Sequence, residues 1–258
     1  MPKLSLGIVG AGCIGRTVAR AFAGPDSPLE LTTIAELDED RARELIHDCA
    51  PDARLLPIEK LSAEVDIVLE SAAASVVPDL VNSCRESAVI CGLPGHLVVM
   101  SVGGLLEVET ARPALPVIHV PSGALGGLDA IQAMKEAGLE EVLLTTTKPP
   151  AGLGVETDEP LVLYEGPAAE VVRRYPKNIN VAMALSLAGL GPQLTRVKLV
   201  ADPGTDANTH HVIARGVAGV VEFTSINRPF PENPRTSYLA AMSAIAILRR
   251  IAAPLQVG

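Results

Sequence analysis

The stretch Gly7-Ile8-Val9-Gly10-Ala11-Gly12-Cys13-Ile14-Gly15 constrains this chain more than any other. An apolar run, Leu4 to Val9, leads into it and reads as a buried strand. Ile14, Val18, Ala21 and Phe22 follow at helical spacing. A strand, then Gly-x-Gly-x-x-Gly, then a helix is the context of a dinucleotide site. Gly10 suits the tight turn, Gly12 lets backbone approach a pyrophosphate, and Gly15 lets helix and strand pack closely. Cys13 and Ile14 open the helix, whose free N–H groups and positive dipole end face the phosphates. Cofactor contacts are therefore expected at Gly10, Gly12, Cys13, Ile14 and Gly15; the alternative is a tight structural turn.

A second strand is predicted from Leu29 to Glu36. Glu36 stands where an acidic side chain accepts hydrogen bonds from the adenosine ribose, favouring NAD over NADP. It is otherwise a surface acid, since Asp38, Glu39 and Asp40 follow at once. Asp38 is a candidate N-cap for a helix running to Cys49. Val65 to Glu70 is a third strand. Val77, Leu80, Val81, Cys84, Ala88 and Cys91 keep helical period, so one long helix is expected there, stopped by Gly92. Leu97 to Val102 and Pro116 to Val120 are further strands. Strands alternating with helices imply an α/β fold with a doubly wound parallel sheet.

Composition narrows the class. The 258 residues are 48% apolar but only 2% aromatic, so the core is built from Val, Leu, Ile and Ala. The apolar runs are short and broken, and none spans a membrane. Met1-Pro2-Lys3 passes straight into the first strand, leaving no room for a signal peptide; a cytoplasmic location is expected. A net charge of −9 without a basic block argues against nucleic acid. Cys13, Cys49, Cys84 and Cys91 lack zinc spacing and are expected as reduced, buried thiols, with no metal bound. His47 and His96 are expected to be structural or exposed, and His119 a satisfied core histidine.

In the second half, Pro121-Ser122-Gly123-Ala124-Leu125-Gly126-Gly127 surrounds one hydroxyl with small residues just after a buried strand. It is a ligand-lining loop, an interdomain hinge, or both. Leu128 to Ala137 reads as a helix, Glu141 to Thr147 as a strand, and Ala151 to Pro167 carries the weakest pattern. Asn178 and Asn180 precede an Ala-rich helix and either cap it or reach a ligand. Asp202 to His211 reads as a polar loop between strands. Histidine titrates near neutral pH, so His210 or His211 could exchange protons with a substrate; spacing alone does not choose between them. Pro229 to Pro234 is a proline-rich turn, and Thr236 to Ile251 a last helix expected to pack back on the nucleotide domain.

These residues together resemble the L-aspartate dehydrogenase family. The resemblance rests on Ser101-Val102-Gly103, Pro121 to Ala130, Lys148-Pro149-Pro150, Pro176 to Ala182, Asp202-Pro203 with Asn208-Thr209-His210, and Asn233 to Ser237. It implies a Rossmann-type domain over 1–120, a catalytic α/β domain with an open mixed sheet over 121–235, and a C-terminal helix over 236–258. It implies a homodimer formed through that open sheet. The implied reaction is NAD(P)-dependent oxidation of L-aspartate to iminoaspartate, which feeds NAD biosynthesis or hydrolyses to oxaloacetate and ammonia. By motif, Ala124 and Asn180 match cofactor-contacting positions and His210 the catalytic histidine. Thr147 stands where the family more often has Arg, which raises the question of altered anion binding; Gly104 and His211 also depart from the pattern.

The implied chemistry needs a neutral amine and a hydride acceptor held about 3–3.5 Å from the α-carbon. Imine hydrolysis needs a base of near-neutral pK, a role expected of His210. Lys148, then the Ser122-Gly123 backbone, are the candidates for binding substrate carboxylates. The rivals are a homoserine- or sugar-dehydrogenase-like enzyme and a non-catalytic NAD-binding sensor. A sugar enzyme would usually place a proton-shuttling Lys after the Rossmann strands, and Cys91 to Gly95 has none.

Overall fold

The computed structural model describes residues 3–109, 115–175, 180–230 and 233–256, with backbone alone at 234 and 235. It divides into two compact units, Met1–Pro121 with Ser243–Val257, and Ser122–Met242.

In the first unit β1 is Leu4–Val9, α1 Cys13–Phe22, β2 Leu29–Ala35 and α2 Glu39–Cys49. Then come β3 at Arg54–Leu55, α3 at Ile58–Leu61, β4 at Ile67–Glu70 and α4 at Val77–Cys91. β5 is His96–Val99 and β6 Val117–His119. All six strands are parallel, in the order β3-β2-β1-β4-β5-β6. The order reverses between β1 and β4, where open α/β sheets bind ligands beyond the strands' carboxyl ends.

The local chemistry explains these elements. Asp38 caps α2 by accepting the Arg41 N–H at 3.1 Å. α4 runs unbroken because Val77, Leu80, Val81 and Cys84 form one buried stripe, and Gly92 ends it in the left-handed region at φ 78°. β5 stops earlier than predicted: Val102–Glu107 winds into a 3₁₀ helix. Gly104 sits there because a Cβ would collide with the Ala74 carbonyl and Val77. His119 finds its partner in His96, ring nitrogen to ring nitrogen at 2.9 Å. All four cysteines are free; Cys49 and Cys84 are buried and Cys13 half-buried, but Cys91, at the end of α4, is exposed, contrary to expectation.

In the second unit α5 is Leu128–Gly138, β7 Leu139–Lys148, α6 Pro150–Leu153 and β8 Leu161–Pro167. α7 is Ala168–Arg174, α8 Asn180–Ala188 and β9 Arg196–Ala201. β10 is Asn208–Gly216, β11 Gly219–Asn227, β12 Pro229–Phe230 and β13 Asn233–Ser237. The main sheet has the order β11-β10-β7-β9-β8 and is mixed, with β7 and β9 parallel and the other pairs antiparallel. Three sequence expectations change here. The weakly patterned segment contains an edge strand, β8, whose register is interrupted between Val162 and Tyr164. The proline-rich segment is flanked by a paired ribbon, β12–β13, and 231–232 between its strands lie outside the described residues. The histidines lie within β10 rather than in a loop, because that strand starts at Asn208.

The last helix, α9, spans Tyr238–Ala252, and the division between the units falls within it. In the first unit its Ala244, Ile247 and Leu248 are buried, and the Arg249 guanidinium lies 5.9 Å over the Phe22 ring.

Gly15 is where α1 touches the turn: a Cβ there would strike the Gly10 carbonyl oxygen. Gly15→Ala is expected to destabilise the fold by about 1–3 kcal/mol, as overpacking against rigid backbone does. Chemical denaturation checks this; an unchanged midpoint would mean that α1 can move away freely.

Candidate functional site

In the first unit the residues expected to contact the cofactor gather at the β1–β4 switch point. Gly10 adopts φ +95°, and a Cβ there would come within 2.8 Å of Ala72 backbone. At Gly12 an added Cβ meets nothing within 4 Å. No side chain caps α1, whose N-cap is Gly12 itself. An open approach to an uncapped helix N-terminus suits a phosphate. Cys13 and Ile14 are the first two residues of that helix.

Glu36 is more than a surface acid. One carboxylate oxygen accepts the Ala11 N–H at 2.7 Å; the other accepts Leu37 N–H at 2.8 Å and Asp38 N–H at 3.1 Å. These bonds fix the carboxylate beside the glycine turn, with lone pairs left for further donors. A cavity of about 330 Å³ opens at this point, lined by Val9, Gly10, Ala35, Glu36, Ala72 and Val76 among others. The turn, the fixed acid and the cavity together fit a dinucleotide.

Sequence reasoning missed Glu70. It ends β4 fully buried and accepts the Ala72 N–H at 2.9 Å and the Ser101 N–H at 2.8 Å. Burial raises its pKa, and these bonds oppose the rise. Ser71 next to it donates to the Gly10 carbonyl at 2.9 Å. The available signal was an acid closing an otherwise apolar strand.

In the second unit the pleat does the sorting. Along β7, Val142, Leu144, Thr146 and Lys148 are buried; along β10, Asn208, His210, Val212 and Ala214 are. Thr146 pairs with His210 across the ladder, so four polar side chains share one end of a buried face. His210 is 2% exposed, and its Nδ1 lies 3.1 Å from the Thr146 hydroxyl. His211 points to the opposite face and meets Glu222 at 2.8 Å. Thr147 lies on that opposite face as well, so its departure from the family pattern does not reach the His210 side of the sheet.

The small-residue loop joins this patch. Asn227 donates to the Ala124 carbonyl at 3.0 Å and to the Asn208 carbonyl at 3.4 Å. Asn208 in turn donates to Ser237 at 3.3 Å. Ala124 is buried, Ser122 and Gly123 half-buried, and Gly123 takes φ +64°. Asn180 is the first residue of α8 and half-buried; Asn178 lies outside the described residues. Asn227 was not singled out from sequence; at the end of an alternating strand it looks like a solvated terminus.

Electrostatics in the patch follow from burial. Desolvation, then the nearby Lys148 charge, lower the His210 pKa to about 3. The near-neutral base expected from the sequence is therefore a neutral imidazole at physiological pH. Desolvation lowers Lys148 to about 8. Among the described residues no group of three or more His, Cys, Asp and Glu could hold a metal ion, and no helix is long and apolar enough to cross a membrane.

The parallel sheet, its reversal and the glycine turn define a Rossmann-type, dinucleotide-binding protein with a second, mixed-sheet unit. Family profiles divide along the same lines. Residues 10–115 match the NAD-binding domain of homoserine dehydrogenase, and residues 129–251 the C-terminal part of aspartate dehydrogenase. An L-aspartate dehydrogenase of Methanosarcina acetivorans is 38% identical, covering 99% of each chain. One from Methanopyrus kandleri is 38% identical over 100% of both. The crystal structure of aspartate dehydrogenase from Thermotoga maritima superposes with a TM-score of 0.76 at 23% identity, covering 100% of both chains. A myo-inositol dehydrogenase from Lactobacillus casei shares the fold at a TM-score of 0.57 and 11% identity, covering 97% of this chain and 87% of its own. The chain belongs to the aspartate dehydrogenase family and is an NAD(P)-dependent oxidoreductase.

Two outcomes are expected. Gly12→Ala should leave thermal stability nearly unchanged yet weaken dinucleotide binding at least ~10-fold, because the new methyl group occupies phosphate space; calorimetric titration with NAD measures it. The second concerns acid. His210 stays neutral down to about pH 3 when folded, whereas the unfolded group titrates at 6.5. Between these values the unfolded chain binds a proton that the folded chain refuses, so stability falls as pH drops through that window. His210→Gln should flatten this dependence, read as unfolding free energy against pH; an identical slope would contradict the burial.

Proposed function

We propose that the protein oxidises L-aspartate to iminoaspartate with NAD or NADP, and runs the reverse reductive amination. One observation carries the reading: a buried polar patch of Thr146, Lys148, Asn208 and His210, in a chain whose full-length relatives are L-aspartate dehydrogenases. In this reading Gly10, Gly12, Cys13, Ile14 and Gly15 hold the pyrophosphate, and the 330 Å³ cavity takes the adenine end. The Glu36 carboxylate receives the ribose hydroxyls, and its charge disfavours the extra phosphate of NADP. Ala124 and Asn180 contact the nicotinamide half. Bound, the dinucleotide supplies the two-electron acceptor.

The remaining work falls to the chain's own side chains. Ser122, Gly123 and Lys148 meet the amino dicarboxylate. Neutral His210, held at Nδ1 by Thr146, orients the amine and the water that hydrolyses the imine. A bound dicarboxylate would raise the imidazole's proton affinity, because nearby negative charge favours the protonated form. Small-residue packing around Ala124, tied down by Asn227, keeps the backbone in place for this contact.

We further propose a cytoplasmic homodimer assembled through the face of the mixed sheet opposite His210 and Lys148. That face carries Leu143 and Ile213, and Val220 and Ile226 are 62% and 73% exposed on it. Apolar side chains at that exposure suit coverage by a second copy.

Purified protein mixed with NAD or NADP and a panel of amino acids should produce reduced cofactor with aspartate alone. Turnover with homoserine instead, or binding without turnover, would overturn the reading. His210→Ala should lower turnover by ~10²–10⁴ and leave dinucleotide affinity nearly intact, while His211→Ala leaves both unchanged. Equal loss of turnover and affinity in the first variant would remove His210 from its role. Ile213→Asp should convert the dimer to a monomer in light scattering; a wild-type monomer would refute the assembly.

A further inference from the structure

We propose that Glu59 reads the adenine base of the dinucleotide, its carboxylate accepting hydrogen bonds from the exocyclic amine, while Leu37 gives the ring an apolar platform. The inference rests on the reading above in which the 330 Å³ cavity takes the adenine end; it adds which side chains choose the base.

The chain around α3 is anchored on both sides of Glu59. β3 pairs with β2, and the Leu56 N–H donates to the Ile34 carbonyl at 2.9 Å. Leu61 closes α3 fully buried and fills the space beside Gly7, where a Cβ would come within 2.8 Å of its methyl group. The Leu61 N–H returns to the Pro57 carbonyl at 3.0 Å, and the Ser62 hydroxyl to the Ile58 carbonyl at 2.9 Å. Glu59 therefore stands on held backbone, and it lines the same cavity as Gly10 and Glu36.

The lining suits a purine. Leu37, Leu56, Pro57, Ile58 and Val76 make it apolar, Glu36 and Glu59 are its acids, and no Lys, Arg or His among the described residues borders it. A flat heterocycle gains from burying its faces but needs its polar edge satisfied. Leu37 is 99% exposed beside Glu36, an apolar side chain left to solvent at the cavity's rim. A base stacked on it would cover it.

Glu59 differs from the acids near it in sequence and space. Glu36 accepts from three main-chain amides. Asp38 caps α2, Glu39 and Asp40 pair with Arg43, and Glu64 pairs with Arg54. The Glu59 carboxylate forms no hydrogen bond or ion pair with another described residue. With Glu36 assigned to the ribose, Glu59 is the acceptor left in the cavity for the base. A carboxylate accepts and does not donate, and the amine of adenine offers two N–H donors. Hypoxanthine carries a carbonyl oxygen at that place, which would meet the carboxylate lone pair to lone pair.

Calorimetric titration with NAD and with nicotinamide hypoxanthine dinucleotide, which has the carbonyl where NAD has the amine, tests the assignment. Wild type should bind NAD at least ~10-fold more tightly, as expected for a hydrogen bond to a charged group. Glu59→Gln, whose amide both donates and accepts, should bring the two affinities within ~3-fold. Leu37→Ala should weaken both by a similar ~3–10-fold and keep their ratio. Should Glu59→Gln fail to fold, Glu59→Ala gives the same comparison. Equal affinities in wild type, or an undiminished preference in the Glu59 variant, would overturn the role of Glu59; unchanged affinity in Leu37→Ala would overturn the platform. Ala72→Trp, whose indole fills the cavity, separates these failures from that of the reading beneath. It should weaken NAD at least ~10-fold, and wild-type affinity there would sink the placement of the adenine end itself.

Discussion

The two-residue period of a β-strand is the constraint on which the second unit depends. Side chains two apart share a face, and a shift of one residue sends them to opposite faces. In β7 this separates Lys148 from Thr147, and in β10 it separates His210 from His211. One face is covered by helices and keeps its polar groups from water. The other carries pairs such as His211 with Glu222 and Arg215 with Glu141, in partial contact with solvent. Two histidines adjacent in sequence therefore live in different dielectric environments.

Burial then sets the chemistry. An imidazole and an ammonium side by side, with little water, both lose affinity for protons. In the proposed reading, a substrate bearing two carboxylates would reverse part of that penalty on entering. Under that proposal, selectivity for an anionic amino acid would follow from what the patch finds costly, and a neutral amino acid would leave the cost in place. In the first unit the same problem has a different answer: the buried Glu70 and the nearly buried Glu36 are satisfied by main-chain amides.

Much of the first unit was legible because its signals are local. The glycine turn, the Asp38 cap and the uninterrupted period from Val77 to Cys91 each fall within a few turns of chain. The second unit was harder. β10 begins in Asn208 and Thr209, polar residues that resemble a loop until the ladder on both sides is known. β8 is an irregular edge strand whose pattern is broken where its register shifts. His210 was singled out through family resemblance, but its protonation state was not legible, since burial depends on helices packed from elsewhere in the chain. Asn227 and Glu70 escaped notice for a related reason: each takes its meaning from partners distant in sequence.

The clamp at Glu70 has an evolutionary consequence. Its donors are the amides of Ala72 and Ser101, which proline could not supply, and the Ser101 side chain. The side chain at residue 72 can drift as long as it fits, residue 101 keeps a hydroxyl that bonds the acid, and proline is barred at both. Replacing the acid itself leaves two partly buried amides without their acceptor. Descendants of this sequence are therefore free to vary residue 72, while the acid and its hydroxyl partner stay fixed.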